Sequence, residues 1–91
     1  MQSAKTFHTR QLIGQNIVVQ VKKDTKFAGT LMEYFERNDN LVLTNWTMLK
    51  LDEETGKWNV EESGDLVILK GSFWKSIRVP SAKHLNANIK Y

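Results

Sequence analysis

The sequence predicts a mainly β protein in which a short N-terminal α-helix precedes a five-stranded, strongly bent antiparallel sheet that forms a small open barrel. Three observations support this fold class. Helical periodicity stops at Gly14, and alternation of apolar and polar residues replaces it. Short polar turns join the alternating segments, which is typical of consecutive antiparallel strands. Five strands of this length cannot stay flat over one core, so the sheet is expected to curl.

The elements follow in order from local signals. A helix is predicted before Gly14, with Ser3 or Thr6 as its N-cap. Alternation then predicts strands at 16–22, 27–35, 40–51, 58–70 and 72–79. Pro80 is expected to end the last strand.

Two glycines inside the predicted strands mark the expected bends. Gly29 suggests a sharp bend or a close approach of backbone, and a second bend or bulge is expected near Ser63-Gly64. Four leucines of the third strand are in phase and are expected on one face of the sheet: Leu41, Leu43, Leu49 and Leu51.

Length and composition indicate one small domain. The chain has 91 residues, 41% of them hydrophobic, and we expect a single domain over 1–91: helix at about 4–13, barrel at about 15–80, polar tail at 81–91. It has no cysteine, which excludes disulfides and thiolate metal sites. No apolar run approaches the roughly 20 residues of a membrane span, and no signal peptide is evident. We therefore expect a cytoplasmic protein, or a nuclear one in a eukaryote.

Two groups of residues resemble the motifs of the Sm and Sm-like (LSm) family, over about residues 12–80. The first comprises Gly14, Ile17, Val19, Val21, Lys22, Phe27, Gly29 and Leu31, and continues into Glu36-Arg37-Asn38-Asp39-Asn40-Leu41-Val42-Leu43. The second is Leu69-Lys70-Gly71, followed by Trp74, Ile77 and the closing Pro80. The chain also departs from the family pattern. The turn at Lys23-Asp24 lacks the usual glycine, and one extra residue lies between Gly29 and Asn40 and another between Gly64 and Gly71. Three residues differ in type: Asn38 replaces a frequent histidine or aromatic residue, Asp39 an apolar residue and Lys70 an arginine.

The resemblance implies a ribonucleoprotein subunit of RNA processing. Identical or related Sm-like subunits would form a ring, expected to be a heptamer, that binds single-stranded, uridine-rich RNA at loops lining a central pore and scaffolds or chaperones small RNAs. The RNA-binding residues carried over are Glu36, Asn38, Asn40, Lys70 and Gly71. Asn40 would hydrogen-bond a base edge, Glu36 would hold its loop, and Lys70 would approach the base or a phosphate. One extra residue in the loop suggests Tyr34 or Phe35 as the stacking ring.

Ring assembly also has a physical reason. An open barrel leaves two unpaired sheet edges, and pairing the fourth strand of one copy with the fifth strand of the next covers both. A homo-oligomer is the expected form. The interface residues expected on these strands are Val67, Leu69, Phe73, Trp74 and Ile77. The net charge of +3 is a weak sign of nucleic-acid binding in one chain and a stronger one when chains repeat around an axis.

These residues also have ordinary structural interpretations. Asn40 can simply cap a turn, and Glu36 and Lys70 can be solvated. The tryptophans are more often core or interface residues than stacking platforms: Trp46, Trp58 and Trp74. An acidic group looks like a metal site but is more often a solvated hairpin: Asp52, Glu53, Glu54, Glu61 and Glu62. His8 and His84 have no ligand-like spacing, and no metal or cofactor is expected.

Two rival functions stay open, and catalysis is not expected. The sequence has no nucleophile motif, phosphate-binding glycine loop or histidine pair, so we predict neither an enzyme nor a small-molecule substrate. One rival is an Sm-like protein-assembly module with little or no RNA binding. The absence of an aromatic stacking residue at position 38 and the charge of Asp39 favour this rival. The other is an unrelated barrel such as an OB-fold, which would be monomeric and bind on an open sheet face.

Overall fold

The computed structural model describes residues 8–80. Five strands form one antiparallel sheet: β1 (Asn16–Lys22), β2 (Thr25–Phe35), β3 (Asn40–Asp52), β4 (Lys57–Leu69) and β5 (Ser76–Arg78). Residues 8–10 are helical and residues 11–14 form turns. The first part of the predicted helix, 4–7, and the predicted tail, 81–91, lie outside the described residues. Within them, no helix is long and apolar enough to cross a membrane.

The strand order in the sheet is β4-β3-β2-β1-β5. The first four strands are consecutive antiparallel neighbours, as the short polar turns predicted. The last strand crosses back to pair with β1, where Val18 lies opposite Arg78. The sheet therefore curls without closing, which confirms the predicted five-stranded open barrel. Its two edges are β4 and β5.

One face of the sheet carries the main core and is called the inner face. Alternation in β1 and β2 places Ile17, Val19 and Leu31 on this face, with no exposed surface on any of them. The same core contains further residues of every strand and of the segments before β1 and β5: Leu12, Val21, Phe27, Tyr34, Leu41, Leu43, Leu69, Trp74 and Ile77. Burial of these side chains is the main stabilisation of so small a sheet.

A β-bulge at Asn45 bends β3 opposite Gly29. Thr30 pairs with Thr44 and Ala28 pairs with Thr47, so β3 has one residue more than β2 across this step. Asn45 has a φ of 49°, in the left-handed region. A side chain on Gly29 would begin 2.9 Å from the carbonyl oxygen of Thr44. Of the two features that Gly29 suggested, the close approach of backbone is confirmed, and it requires glycine because a Cβ atom would meet the backbone of β3.

The bulge moves the later residues of β3 to the opposite face, so the prediction that the four leucines share one face was wrong. Leu41 and Leu43 lie in the main core, whereas Leu49 packs with Val18 and Ala28 in a second cluster. An inserted residue reverses the facing of every side chain that follows it. Alternation along the sequence does not reveal such an insertion.

Three other details differ from prediction. The bulge in β4 is at Glu61, because Met48 pairs with Glu62 and Leu49 with Val60. Gly64 pairs regularly with Trp46, and a side chain there would begin 2.8 Å from the indole ring, so Gly64 makes room for a tryptophan and is not the bulged residue. The last strand is shorter than the predicted 72–79, because residues 71–73 form a turn.

Candidate functional site

Two turns meet at one end of the sheet. The β2–β3 turn (36–39) lies against the connection that leads from β4 to β5 (70–75). The backbone N–H of Gly71 donates to Oδ1 of Asn40 at 2.9 Å, and Nε1 of Trp74 donates to the carbonyl oxygen of Asp39 at 2.7 Å. Both hydrogen bonds join residues that are far apart in the sequence. We call residues 36–40 and 70–74 the paired turns.

Local hydrogen bonds fix the shape of the β2–β3 turn. Oδ1 of Asn38 accepts the backbone N–H of Asn40 at 3.1 Å, an arrangement that asparagine commonly makes in turns. Asp39 takes a φ of 61°, and its carboxylate accepts a hydrogen bond from the hydroxyl of Tyr34. Tyr34 is buried in the main core. The hydrogen bond from Tyr34 to Asp39 therefore anchors the turn to the core.

Close contact makes glycine necessary at position 71. A Cβ atom built on Gly71 would lie 2.0 Å from the carbonyl oxygen of Asn38 and 2.6 Å from Cβ of Asp39. These are contacts with backbone and with the first atom of a side chain, so they cannot be relieved by rotating a flexible group. The two turns touch here with no space between them.

The structure brings together four of the five residues predicted to bind RNA. Asn38, Asn40 and Gly71 are in direct contact, and Lys70 immediately precedes Gly71 with its side chain exposed. Glu36 lies in the same turn and forms an ion pair with Arg10 at 2.8 Å, where both side chains are about half exposed. This pair links the turn to the helical segment, and its exposure makes the stabilisation small.

Phe35 and Asn40 form a directly opposed pair across β2 and β3. Their neighbours Tyr34 and Leu41 point into the core, so Phe35 and Asn40 project from the opposite face. Opposed side chains begin about 5 Å apart. Phe35 is 49% exposed. The site thus combines an exposed ring, a carboxamide and an ammonium group, which suit stacking, hydrogen bonding and phosphate attraction respectively.

The residues that hold the site together were not predicted from the sequence. Asp39 was expected to add an unusual charge, and Trp74 to be a core or interface residue, and neither was expected to make the hydrogen bond that joins the two turns. Tyr34 was a candidate for the stacking ring, but it is buried and bonded to Asp39. The only signal in the sequence was the position of Trp74, three residues after Gly71 in the second motif. That position indicates an apolar residue, but it does not indicate that the indole N–H donates a hydrogen bond to Asp39.

The proposed interface residues occupy different environments in a single chain. Leu69, Trp74 and Ile77 are core residues, with 2%, 3% and 7% of their surface exposed. Val67 is partly buried against the same core, and Phe73 is 43% exposed. A role of these residues in a subunit interface stays a prediction. Because the side chains of Leu69, Trp74 and Ile77 are buried in their own core, only their backbone is left to contact another subunit. The large apolar residues of β4 that are exposed are not among the predicted interface residues: Val60, Leu66 and Ile68.

Trp46 and Trp58 also pack against other side chains of the same chain. The ring of Trp46 is 5.6 Å from that of Phe27. Nζ of Lys26 sits 4.0 Å above the ring of Trp58, and Lys26 is only 6% exposed. Burial lowers the pKa of Lys26 below its ordinary value, and the charge of Arg78 lowers it further. These contacts make Trp46 and Trp58 packing residues rather than open platforms.

Two other regions bear on ligand binding, the acidic β3–β4 hairpin and a cleft between β1, β2 and β3. Between residues 8 and 80, no three His, Asp or Glu side chains are grouped so that they would hold a metal ion, and this includes the acidic β3–β4 hairpin. A cleft between β1, β2 and β3 shares no residue with the paired turns and is lined by Asn16, Ile17, Ala28, Gly29, Thr30, Asn45, Thr47 and Pro80. Within it the hydroxyl of Thr30 donates to Oδ1 of Asn16, so part of its polar surface is already satisfied.

Comparison with known proteins gives structural matches and no sequence matches. No family model and no curated protein matches the sequence. An Sm protein of Pyrococcus abyssii, solved in complex with a uridine heptamer, superimposes with a TM-score of 0.67 at 20% identity, covering 82% of this chain and 96% of that one. An Sm-like protein of Archaeoglobus fulgidus, AF-Sm2, gives 0.62 at 21% identity, covering 88% and 97%.

A third match comes from a structure of the NatC complex bound to CoA. One of its chains superimposes with a TM-score of 0.63 at 18% identity, covering 96% of this chain and 97% of that one. Identities near 20% establish the fold and leave activity open. The matches to two Sm proteins confirm the resemblance at the level of structure: this chain has the fold of the Sm and Sm-like proteins.

Proposed function

We propose that this chain is a subunit of a ring that binds single-stranded, uridine-rich RNA at the paired turns. The observation that carries the proposal is the hydrogen bond from Gly71 to Oδ1 of Asn40. It orients the carboxamide and uses one of the two lone pairs of its oxygen, while the amide NH2 group has no hydrogen bond within residues 8–80. The NH2 group can donate to a carbonyl oxygen of uracil, and the remaining lone pair of Oδ1 can accept the N3–H of the same base, so the carboxamide can pair with a uracil edge.

The proposed role of each group follows from its place in the site. Asn40 donates to the base, the ring of Phe35 stacks on it, and Lys70 attracts the adjacent phosphate. Asn38 cannot stack, and its side-chain oxygen already holds the turn. A single pocket of this kind binds weakly, so useful affinity needs several pockets engaging one strand, which a ring supplies. An Sm protein solved with a uridine oligomer has the same fold. No catalytic step belongs to this function.

The first test compares Asn40→Ala and Lys70→Ala with wild type in fluorescence anisotropy, using oligo-U and oligo-A at two salt concentrations. Asn40→Ala is expected to weaken oligo-U binding by roughly tenfold or more and to remove the preference over oligo-A. Lys70→Ala is expected to weaken both oligonucleotides and to reduce the salt dependence.

Exposed residues of the same type away from the paired turns provide the matched controls, Asn59→Ala and Lys23→Ala. These are expected to bind as wild type does. If both Asn40→Ala and Lys70→Ala retain full affinity and preference while the oligomer remains intact, the paired turns do not bind RNA.

Replacing Phe35 with alanine tests the stacking role separately. Stacking of a base on an aromatic ring contributes about 1–3 kcal/mol, so Phe35→Ala is expected to weaken oligo-U binding by roughly 5- to 100-fold. Phe35→Tyr keeps the ring and is expected to bind within about twofold of wild type. Met32, on the same strand and 52% exposed, gives the control Met32→Ala. Equal affinities of the Phe35→Ala and Met32→Ala proteins would remove Phe35 from the site.

The second candidate function is an Sm-like protein-assembly module with little or no RNA binding. A specific observation favours it: the match to the chain of the NatC complex structure covers more of this protein than the matches to the two Sm structures do. In this function the paired turns would be a structural joint, and Asp39 would disfavour phosphate. Oligomerisation without measurable affinity for oligo-U at low salt would select this function over the first.

A further inference from the structure

Lys26 is a buried cation without an anionic partner in residues 8–80. The residue is 6% exposed, and its Nζ atom lies 4.0 Å from the centre of the Trp58 ring, which supports the charge on one side only. On its other sides the amine has no hydrogen bond or ion pair with the described residues, so its N–H donors are unused. A buried charge is costly unless acceptors or a counter-ion surround it. The surroundings of Lys26 therefore favour either loss of its proton or the binding of an anion.

A second cation projects from the same face of the sheet. Val18 and Ala28 pack together on the face opposite the main core, and Lys26 shares that face because it lies two residues before Ala28. Arg78 pairs with Val18 across β1 and β5, so its side chain also belongs to this face, where it is exposed and has no ion pair in the described chain. Burial lowers the pKa of Lys26, the charge of Arg78 lowers it further, and no carboxylate opposes these effects. The two cations are thus close enough to repel each other, without a neutralising group between them.

The amine of Lys26 is still open to solvent. Two fully covered side-chain atoms of the described chain lack a hydrogen-bond partner, Oγ1 of Thr9 and Nε1 of Trp46. Nζ of Lys26 also lacks a partner but is not one of these covered atoms, so part of its surface is accessible. Since Arg78 is exposed, a small anion can reach both cations.

We propose that Lys26 and Arg78 form a binding site for a phosphate group, separate from the paired turns. A phosphate presents oxygens in several directions, so it can accept hydrogen bonds from the ammonium and the guanidinium groups at once, whereas a carboxylate has two oxygens in one plane and a single charge. Ser76 can donate to a third oxygen, because its hydroxyl is exposed and Gln20 pairs with both Ser76 and Lys26. The site shares no residue with the paired turns, so this proposal does not rest on RNA binding there. A free phosphate and the backbone of an RNA strand offer the same chemistry, and experiment separates these two sources.

Titration of the Lys26 amine in the full chain provides the test. In protein labelled with carbon-13 on its lysines, the chemical shift of each Cε reports the protonation of its amine, and the signal missing from Lys26→Met identifies Lys26. Inorganic phosphate is expected to raise the pKa of Lys26, because a bound anion favours the charged form, and the effect is expected to saturate at millimolar concentration. Sodium chloride at the same ionic strength screens the two charges without binding and is expected to give a smaller change that does not saturate.

Substitution of either cation is expected to weaken phosphate binding by about tenfold or more, measured by calorimetry. Lys26→Met keeps an apolar chain against the Trp58 ring and removes the charge, and Arg78→Gln removes the second charge from an exposed position. The matched controls are Lys57→Met, next to Trp58 in the sequence but on the opposite face of β4, and Arg10→Gln, in the helical segment. Both controls are expected to bind phosphate as wild type does. Circular dichroism of each variant checks that it folds.

Oligo-U in place of inorganic phosphate distinguishes the source of the phosphate group. If oligo-U raises the pKa of Lys26, and Lys26→Met weakens oligo-U and oligo-A equally, the group belongs to an RNA backbone; if only inorganic phosphate acts, the site takes a free phosphate. Either result supports the site. Two outcomes would overturn it: a pKa of Lys26 that responds to phosphate no more than to sodium chloride, or folded Lys26→Met and Arg78→Gln proteins that bind phosphate as wild type does. Neither outcome bears on Asn40→Ala, whose effect on oligo-U preference tests the paired turns alone.

Discussion

Replacing Gly71 with alanine is expected to destabilise the folded chain by about 2–3 kcal/mol and to abolish the proposed preference for oligo-U. The added Cβ would lie 2.0 Å from the carbonyl oxygen of Asn38, so one of the paired turns must move. That movement breaks the hydrogen bond from the Gly71 N–H to Asn40, which orients the carboxamide. Urea denaturation measures the first effect, and anisotropy at a temperature where the variant is folded measures the second.

Gly56 provides the control for this substitution. It lies in the β3–β4 turn with a φ of 73° and has no atom within 4 Å of a built Cβ. Gly56→Ala therefore incurs only the cost of a left-handed backbone, about 1–2 kcal/mol, and is expected to leave RNA affinity unchanged. Loss of stability in Gly71→Ala without loss of oligo-U preference would mean that the turn contact supports the fold and has no part in recognition.

The fold could be predicted from the sequence because it depends on patterns that the sequence carries locally. Alternation placed β1 and the ends of β2 and β3 within a few residues, and Gly29 correctly marked a close approach of backbone. The phase change in β3 could not be predicted in the same way. It depends on the bulge at Asn45, and an asparagine can also occupy a strand position without any bulge.

For the candidate site, the sequence allowed us to predict which residues lie together but not how they are held in place. Motif order identified Asn38, Asn40, Lys70 and Gly71, which the fold does bring together. The hydrogen bonds from Gly71 to Asn40 and from Trp74 to Asp39 were not predictable, because each joins turns that lie far apart in the sequence. The same limit accounts for the assignment of core residues to an interface: Leu69 and Ile77 alternate with exposed neighbours on edge strands, and alternation does not say which face meets the core.

Replacing Trp74 is expected to have the largest effect on stability of any change at the site. Trp74→Ala removes a large side chain that is 3% exposed and is expected to cost about 3–5 kcal/mol. Trp74→Phe keeps much of the packing but removes the donor to the carbonyl oxygen of Asp39, for an expected cost of about 1–3 kcal/mol. Denaturation of both variants, compared with Trp58→Phe as a control, separates packing from the hydrogen bond.

Protein concentration distinguishes a role of Trp74 within the chain from a role between subunits. If its side chain stabilises each chain from within, the loss of stability in Trp74→Phe is the same at low and at high protein concentration. If the side chain acts between subunits, the loss appears only on association, because binding to a partner stabilises the folded state by mass action. Its burial in the core predicts the first result. The hydrogen bond to Asp39 then connects the stability of one chain directly to the shape of its proposed nucleotide pocket, since the same indole packs in the core and holds the turn.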